Sequence, residues 1–419
     1  MLLFIKDSNP EKSTIPFSFH FTTPYTVSLP DSWLSTVPSN TLLFHYDSPT
    51  WINTDNDLTQ YCRQWDQEHQ LAIDTEFIRT NTFYPKPGLI QIATSRRIFL
   101  IDPLTIDSWK PFRTVLINPA VEKVFHACGE DLETLHVLVG KHPINIADTQ
   151  RAAAFAGQGC TESYQSLVQK LLDISLPKGE TRSDWLQRPL TSSQTDYAAQ
   201  DVAFLLPLYN TLLKKLTNHR HIQWFKEDCL YMTAIQPEAP KDAWKSVKRA
   251  WQLSPGQLQV LKAVCQFRER QARLRNMPKN WIIPKTSLWP IARYQPKTLY
   301  ALSGIDKMTS AVIRHDGKTI LQLVKEASQQ KDRGIDNPLP PPLPRPAKYY
   351  GSKARQHIKC IAQQINLPKE LLLSGKTLQA ILRTHTKNGT FSLPENIEGW
   401  RQQTIILPLV NYLNTLTNP

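Results

Sequence analysis

The sequence contains 419 residues, of which 41% are hydrophobic, and carries a formal net charge of +13. A single core commonly serves about 100 to 200 residues, so we expect two or three domains. The apolar runs fall short of the ~18 residues that cross a bilayer, and the cysteines include no Cys-x-x-Cys pair. These features argue against a membrane protein, a zinc site and a disulfide framework. The opening run MLLFIK is too short for a signal peptide. Because the six cysteines are scattered, as in a reducing compartment, we expect a cytoplasmic protein.

The positive charge is concentrated in the second half of the chain. Residues 71–235 contain 17 basic and 17 acidic side chains, whereas residues 241–327 contain 17 and 5, and residues 328–419 contain 12 and 5. A basic region beside a neutral one is typical of a protein that binds a polyanion with one part and performs another task with the other. A basic surface that serves only solubility is the alternative.

Short strand-like segments begin the neutral region. The runs LAIDTEF (71–77), GLIQIAT (88–94) and RIFLID (97–102) are separated by turn residues and predict three successive strands. A helix near residues 109–117, a strand KVFHAC (123–128), a helix in GEDLETLHVLVG (129–140) and a strand INIA (144–147) follow. The alternation of strands and helices predicts an α/β layer with a mixed sheet.

A long helix is predicted near the end of the neutral region. Thr191 and Gln194 have the spacing of a capping box, and Pro207 should interrupt the helix that they begin. Asp148, directly after the strand INIA, is expected to cap the next helix rather than to bind a ligand, because aspartate favours that position.

Beyond residue 240 helical periodicity replaces the strand signals. One stripe of apolar residues at three-residue spacing predicts a buried helix face: Leu258, Leu261, Val264 and Phe267. The proline-rich residues 328–348 predict an extended linker, with a ligand for an SH3-like groove as the alternative. The run NMPKNWIIPKTSLWPIAR, from Asn276, aligns without gaps on NLPKELLLSGKTLQAILR, from Asn366. This internal repeat predicts two copies of one helical module.

Two carboxylates stand two residues apart in the first predicted strand of the neutral region. Side chains alternate between the faces of a strand, so Asp74 and Glu76 point the same way, while Thr75 points to the opposite face. A carboxylate pair of this kind suits a hard cation such as Mg²⁺ or Mn²⁺. The alternative is a strand end whose acids face water.

Further polar residues follow in an order that favours the cation site. Asp131 lies in the first turn of a predicted helix, and Tyr197 and Asp201 are four residues apart on one face of the long helix. Individually, Asp131 could only complement a helix dipole, and Asp201 could only be a solvated acid.

The motifs DTE, HACGED and YAAQD resemble the three exonuclease motifs of the DEDDy 3′–5′ exonucleases, and their wider context resembles the ribonuclease D family. The resemblance implies an α/β RNase H-like exonuclease domain with a mixed sheet, followed by two small all-α HRDC domains. It further implies that Asp74, Glu76, Asp131 and Asp201 bind two divalent metal ions, Mg²⁺ or Mn²⁺. Tyr197 would help to position the attacking water. Two such ions support in-line phosphodiester hydrolysis.

Several other residues are candidates for substrate contacts. They lie in loops near the motifs or on the basic helix, where phosphate or base contacts are plausible: Thr75 through its backbone, Arg79, Tyr84, His126, Arg182, Arg268, Arg270, Arg273 and Arg275. For His126, a packed histidine at a strand end is an equal alternative. The expected partner is RNA, above all tRNA precursors, with no membrane and no obligate protein partner.

The expected organisation is an unassigned extension (1–41), an exonuclease domain (42–240), a first HRDC domain (241–327), the linker (328–348) and a second HRDC-like domain (349–419). The expected activity is release of nucleoside 5′-monophosphates from the 3′ end of RNA. Two alternatives are a DNA 3′–5′ exonuclease, since the same acids serve both substrates, and an inactive nucleic-acid-binding protein.

Overall fold

The structure is a computed structural model that describes residues 48–177, 183–216, 218–234, 240–329, 340–394 and 399–417. The predicted N-terminal extension (1–41), Arg182 and the central part of the predicted linker therefore lie outside the described residues.

The neutral half of the chain contains one six-stranded mixed sheet. Its strands are β1 (Thr50–Ile52), β2 (Gln70–Ile78), β3 (Lys86–Ala93), β4 (Ile98–Ile101), β5 (Glu122–Phe125) and β6 (Ile146–Asp148). They lie in the order β1-β4-β3-β2-β5-β6. The β2–β3 and β3–β4 pairs are antiparallel, and the remaining pairs are parallel. The predicted meander and mixed sheet are confirmed; β1 was not predicted.

Eight helices accompany this sheet among the described residues. They are α1 (Asp55–Trp65), α2 (Lys110–Leu116), α3 (Gly129–Val139), α4 (Thr149–Phe155), α5 (Tyr164–Leu172), α6 (Ser192–Ala203), α7 (Leu205–Lys215) and α8 (His219–Ala234). The capping box of Thr191 and Gln194 begins α6, as predicted. The interruption is also confirmed, because α6 ends at Ala203 and Pro207 lies in the first turn of α7. A proline ring clashes with the carbonyl four residues earlier, which here belongs to Ala203.

In its described part the basic half contains helices and no β-strand. Its helices are α9 (Pro255–Leu274), α10 (Lys279–Ile282), α11 (Leu288–Tyr294), α12 (Leu299–Ser303), α13 (Ser310–Gln329), α14 (Pro346–Gln364), α15 (Lys369–Leu372), α16 (Gly375–Asn388) and α17 (Leu407–Thr415). Short 3₁₀ turns precede α9 and α11, and one π-helical turn precedes α17. The helices α9 to α13 enclose a core of their own, which includes the predicted stripe of Leu258, Leu261 and Val264, with Phe267 at its edge.

The internal repeat has the same local backbone in both copies. Asn276 and Asn366 both have left-handed φ angles, of 47° and 54°. In each copy the next residue, Met277 or Leu367, donates its N–H to a carbonyl five residues earlier at 3.0 Å. A four-residue helix, α10 or α15, then begins three residues after the asparagine. The copies diverge beyond this point, since α11 has 7 residues and α16 has 14.

The predicted linker is shorter at both ends than expected from the sequence. Helix α13 continues to Gln329, and α14 already begins at Pro346. Proline fits the first position of a helix, because its missing N–H would have no partner there and its φ angle is already helical. The last proline of this segment, Pro346, therefore belongs to the start of α14, although the composition predicted a linker. The described residues between these helices, 340–345, have no regular helix or strand.

The C-terminal helices pack directly on helix α8. The rings of Trp224 and Trp400 stack at 4.6 Å between centroids, and His221 Nε2 lies 3.0 Å from the carbonyl oxygen of Ile365. Arg401 forms a two-pronged ion pair with the buried carboxylate of Asp228. Residues of α14 to α17 therefore share one continuous hydrophobic core with the sheet. None of the described helices is long and apolar enough to span a bilayer.

Candidate active site

Strand β2 carries two carboxylates to the face of the sheet that α6 covers. Asp74 lies opposite Gln91 of β3, and Glu76 lies opposite Leu89, so all four side chains share one face. The register shifts between Glu76 and Phe77, which marks a β-bulge directly after the second acid. Bulges re-aim side chains and are frequent beside active sites.

Helix α6 adds a third carboxylate to this pair. One oxygen from each of Asp74, Glu76 and Asp201 lies within 4.8 Å of the other two, and all three residues are half-buried. The expected convergence of these residues is therefore found. The alternative of acids that simply face water does not fit, because the carboxylates face one another across the gap between β2 and α6.

Asp131, in the first turn of α3, lies beside this cluster and is held by Thr75. The Thr75 hydroxyl donates to Asp131 Oδ1 at 2.6 Å, and the Thr75 backbone N–H also donates to this carboxylate. Asp131 is 7% exposed. Thr75 was expected to point to the face opposite Asp74 and Glu76. Its buried hydroxyl orients the fourth acid, a contact that sequence alternation could not reveal.

Tyr197 lies one helical turn before Asp201, and its hydroxyl donates a hydrogen bond to the Asp201 carboxylate. Its ring is half-buried and lies 6.1 Å from the ring of Trp185. Burial and the neighbouring acids raise the pKa of Tyr197 well above its usual value. The phenol therefore keeps its proton at neutral pH and is suited to orienting a polar partner by hydrogen bonding.

Burial and mutual repulsion raise the pKa of all four acids. Burial raises the pKa of Glu76 to about 10, with contributions from Asp74, Asp201 and Asp131. Burial likewise raises the pKa of Asp201 to about 7. The pKa values of Asp74 and Asp131 lie well above the usual range for the same two reasons. Like charges that are buried together favour protonation unless a cation compensates them.

The donor set of this cluster fits a hard divalent cation. Its ligand atoms are carboxylate oxygens only, which Mg²⁺ and Mn²⁺ prefer, and it contains no thiolate or imidazole that would favour zinc. Asp74, Glu76 and Asp201 are only half-buried, so these acids can reach a bound substrate.

His126 belongs to a different network. Thr149 donates its hydroxyl to the carbonyl oxygen of Phe125 at 3.0 Å, so the bond of 2.9 Å between His126 Nδ1 and Thr149 Oγ1 is donated by the imidazole. Burial lowers the pKa of His126. Asp148 caps α4 through the N–H groups of Gln150 and Arg151, as predicted. His126 therefore packs at the start of α4, which favours the alternative reading of a packed strand-end residue.

Arg79 braces the loop between β2 and β3. Its guanidinium makes two contacts with the carboxylate of Glu133 in α3, the longer of them 2.7 Å, and donates to the carbonyl oxygen of Phe83. Tyr84 remains 37% exposed. The structure thus gives Arg79 a bracing role beside Asp131 and leaves Tyr84 accessible to a substrate.

The four arginines of α9 and its end, expected as phosphate contacts, lie in different environments. Arg268 is 9% exposed and donates to the carbonyl oxygen of Ile283 at 2.6 Å and to Asn280 Oδ1 at 2.9 Å. Its guanidinium therefore anchors α9 to α10 and is not a free phosphate contact as predicted. Helical periodicity could not predict this, because the long side chain turns back into the domain. Arg270 is exposed.

Arg273 and Arg275 are committed to ion pairs. Arg273 pairs with Glu269 at 2.8 Å and stacks over the ring of Phe83 at 4.9 Å. Arg275 forms a bidentate pair with the buried carboxylate of Asp316, at 2.8 and 2.6 Å. Their charge contributes to the basic surface, but their hydrogen-bonding groups already have partners.

The loop between β2 and β3 is fastened to the first copy of the repeat, a contact that the sequence did not indicate. Asn276 Oδ1 accepts the backbone N–H groups of Phe83 and Tyr84, both at 3.0 Å. The cations of Arg273 and Lys279 both lie over the Phe83 ring, at 4.9 and 5.6 Å from its centroid. The acid-bearing strand is thereby tied to the basic helical region. The repeated asparagine was the available signal, but its partner lies almost 200 residues away in the chain.

Replacing Asn276 with alanine is expected to release this loop. Its two N–H groups lose their acceptor, so hydrogen exchange in residues 79–86 should accelerate by about tenfold or more, since exchange reports local opening. Mass spectrometry of deuterated peptides measures this. Asn366→Ala is the matched control, because it imposes the same strain at a left-handed position in the second copy. Equal exchange in both variants would contradict the assignment.

Comparison with known proteins places this geometry in context. Residues 49–217 match a family model described as 3′–5′ exonuclease, and residues 257–324 match the HRDC domain. The chain is 41% identical over 367 residues to ribonuclease D of Pseudomonas paraeruginosa, covering 87% of this chain and 97% of that protein. It is 35% identical over 366 residues to ribonuclease D of Escherichia coli, covering 86% and 97%.

A solved structure agrees with the sequence comparison. The crystal structure of Escherichia coli RNase D, described as an exoribonuclease involved in structured RNA processing, superimposes with a TM-score of 0.81 at 34% identity. The superposition covers 88% of this chain and 99% of that one. The likeness therefore extends over both the sheet-containing half and the helical half.

Proposed function

The chain belongs to the ribonuclease D family and is a 3′–5′ exoribonuclease, and from this premise we propose how its residues divide the work. Asp74, Glu76, Asp131 and Asp201 hold two divalent ions, Mg²⁺ or Mn²⁺. The observation that carries this proposal is the convergence of three carboxylates within 4.8 Å, with the fourth held beside them by Thr75. Bound there, such ions supply the charge that activates a water and stabilises the leaving oxygen of a phosphodiester.

The remaining residues of the site position the reactants. Tyr197 keeps its phenolic proton, which it donates to Asp201, and its oxygen is left to accept a hydrogen bond from the attacking water. Thr75 holds Asp131 in place from the buried side. Tyr84, exposed in the loop between β2 and β3, is available to stack on a base of the RNA 3′ end.

The helical half is proposed to bind the body of the RNA. Residues 241–327 form the first HRDC domain, with Arg270 as an exposed phosphate contact, and residues 349–419 form a second HRDC-like domain. The shared left-handed asparagine and the following four-residue helix support two copies of one module. Residues 42–240 are then the exonuclease domain, and residues 328–348 contain the connection.

The proposed substrates are tRNA precursors that carry extra 3′ residues. The description of the Escherichia coli relative as acting on structured RNA supports this choice, as does the basic helical half. A DNA 3′–5′ exonuclease is the second candidate, because the carboxylate cluster itself does not distinguish sugars. An inactive binding protein is disfavoured, since all four acids and Tyr197 are present and oxygens of three of the acids lie within 4.8 Å of one another.

Turnover on two matched substrates tests the proposed substrate. A tRNA with a short 3′ trailer and a DNA strand of the same 3′ sequence are incubated with enzyme and Mn²⁺. We expect the trailer to be removed one nucleotide at a time, with release of nucleoside 5′-monophosphates, and the DNA to be degraded at least about tenfold more slowly, a difference of ~1.4 kcal/mol in the barrier. Preferential degradation of the DNA would favour the second candidate.

A further inference from the structure

Gln91 is a buried polar residue directly beside the acidic cluster. It lies in the middle of β3, is 0% exposed, and is paired with Asp74 of β2 on one side and Leu100 of β4 on the other. Residues opposite each other in an antiparallel pair point to the same face, with Cβ atoms about 4.5–5.5 Å apart. The Gln91 amide therefore lies on the same face as the Asp74 carboxylate, on the buried side of the cluster.

The other neighbours of Gln91 on this face are apolar. A small cluster of Leu89, Leu100, Trp185 and Ala198 packs between the sheet and α6. Within the described part of the chain, neither Nε2 nor Oε1 of Gln91 has a hydrogen-bond partner. A buried amide without partners is destabilising, whereas an apolar side chain of similar volume would pack there without that cost. Packing alone thus gives no reason for glutamine at this position.

A second buried group of the same cluster complements this amide. Trp185 Nε1 is also without a partner among the described residues, and an indole N–H can only donate. It therefore suits Gln91 Oε1, which can only accept. If Gln91 Oε1 accepts from Trp185, the two N–H groups of Gln91 Nε2 are left for an acid of the cluster on this face, and Asp74 lies directly opposite Gln91 in the strand register.

We infer that Gln91 is a positioning residue for Asp74. Among the described residues Gln91 Nε2 has no hydrogen-bond partner; its bond to the Asp74 oxygen on the buried side forms when the other Asp74 oxygen turns towards a bound ion. This inference rests on the proposed function of the cluster. A donor of this kind fixes the rotation of a ligating carboxylate, and loss of such partners commonly weakens metal binding or activity by about 10–100-fold.

The test compares Gln91→Met with Leu100→Met. Methionine has nearly the volume of glutamine but no amide, and Leu100→Met perturbs packing at the neighbouring position on the same face while leaving the amide in place. We expect Gln91→Met to melt in chelator at no lower temperature than wild type, because the amide lacks partners there. Its half-saturating Mn²⁺ concentration, read from the Mn²⁺-induced rise in melting temperature, should increase about tenfold. Its kcat should fall about tenfold with KM for RNA unchanged, and Leu100→Met should bind Mn²⁺ as wild type does.

Two results would overturn the inference: wild-type Mn²⁺ binding and kcat in Gln91→Met, or equal losses in Leu100→Met, which would assign the effect to packing. A lower melting temperature of Gln91→Met than of Leu100→Met in chelator would also overturn it, because the amide would then have a structural role. Failure of the proposed function would look different from failure of this inference. If the cluster does not bind the catalytic ions, Asp74→Asn retains Mn²⁺-dependent hydrolysis, whatever the result for Gln91→Met.

Discussion

Replacing Asp74 with asparagine is expected to lower kcat for RNA hydrolysis by about a thousandfold or more, because it removes a ligand from a site whose residues act together. The same substitution should raise the melting temperature in chelator. Burial and Asp201 raise the pKa of Asp74, so its charge opposes folding when no cation is bound. Asparagine resembles the protonated acid and removes that repulsion.

The stabilisation of Asp74→Asn should depend on pH in a defined direction. A carboxylate whose pKa is raised in the folded protein destabilises that state most at high pH. The gain in melting temperature should therefore be largest in alkaline buffer and shrink as the pH falls and Asp74 of the wild type takes up a proton. A gain of about 1 kcal/mol corresponds to roughly 2–4 °C in a domain of this size.

Asp196→Asn is the matched control for this prediction. Asp196 is an exposed acid on the same helix as Asp201 and lies outside the cluster. Its replacement should change neither hydrolysis nor melting temperature measurably. Activity comparable to wild type in Asp74→Asn, or lower stability of that variant in chelator, would contradict the assignment of a metal site.

Replacing Arg401 with methionine is expected to destabilise the protein by about 3 kcal/mol, since breaking one side of a buried ion pair commonly costs ~3–5 kcal/mol. The carboxylate of Asp228 is only 5% exposed, whereas the side chain of Arg401 is 25% exposed. Because Arg401 is only partly buried, we expect a loss of stability near the lower end of this range. The remaining bond from Trp400 Nε1, at 3.0 Å, compensates only part of the charge. Calorimetric unfolding should show the loss.

The double variant Asp228→Asn/Arg401→Met separates charge from packing. Removing both charges should recover most of the lost stability, because no carboxylate then remains buried without its cation. Lys369→Met provides a surface control, since Lys369 and Glu370 are about 60% exposed and 3.8 Å apart, and exposed pairs contribute little. A double variant as unstable as Arg401→Met would show that the ion pair is not the cause.

Features that depend on local chemistry were predictable from the sequence. The alternating pattern of β2, the capping box at Thr191 and the interruption near Pro207 each follow from residues within a few positions of one another. The convergence of Asp74, Glu76 and Asp201 was predicted in part by alternation and helical spacing and in part by resemblance to a family. Periodicity alone left open whether these acids faced water.

Contacts between distant segments could not be predicted in this way. Arg79, a candidate for substrate contact, forms an ion pair with Glu133 of α3, and Arg268 turns inward to carbonyl groups of α10 and its C-cap. Both side chains are long enough to reach partners on either side of their element, so their position on a strand or helix does not determine their partner. Asn276 accepts the backbone N–H of Phe83 from a position 193 residues away in the chain.

The central claim is that one cluster of four carboxylates binds the ions that hydrolyse RNA. Anomalous diffraction from crystals grown with Mn²⁺ and a nucleoside 5′-monophosphate tests it most directly. The account predicts two anomalous peaks ligated by Asp74, Glu76, Asp131 and Asp201, with the phosphate between them and the Tyr197 hydroxyl beside it. Manganese bound elsewhere, with these carboxylates hydrogen-bonded only to one another, would contradict it.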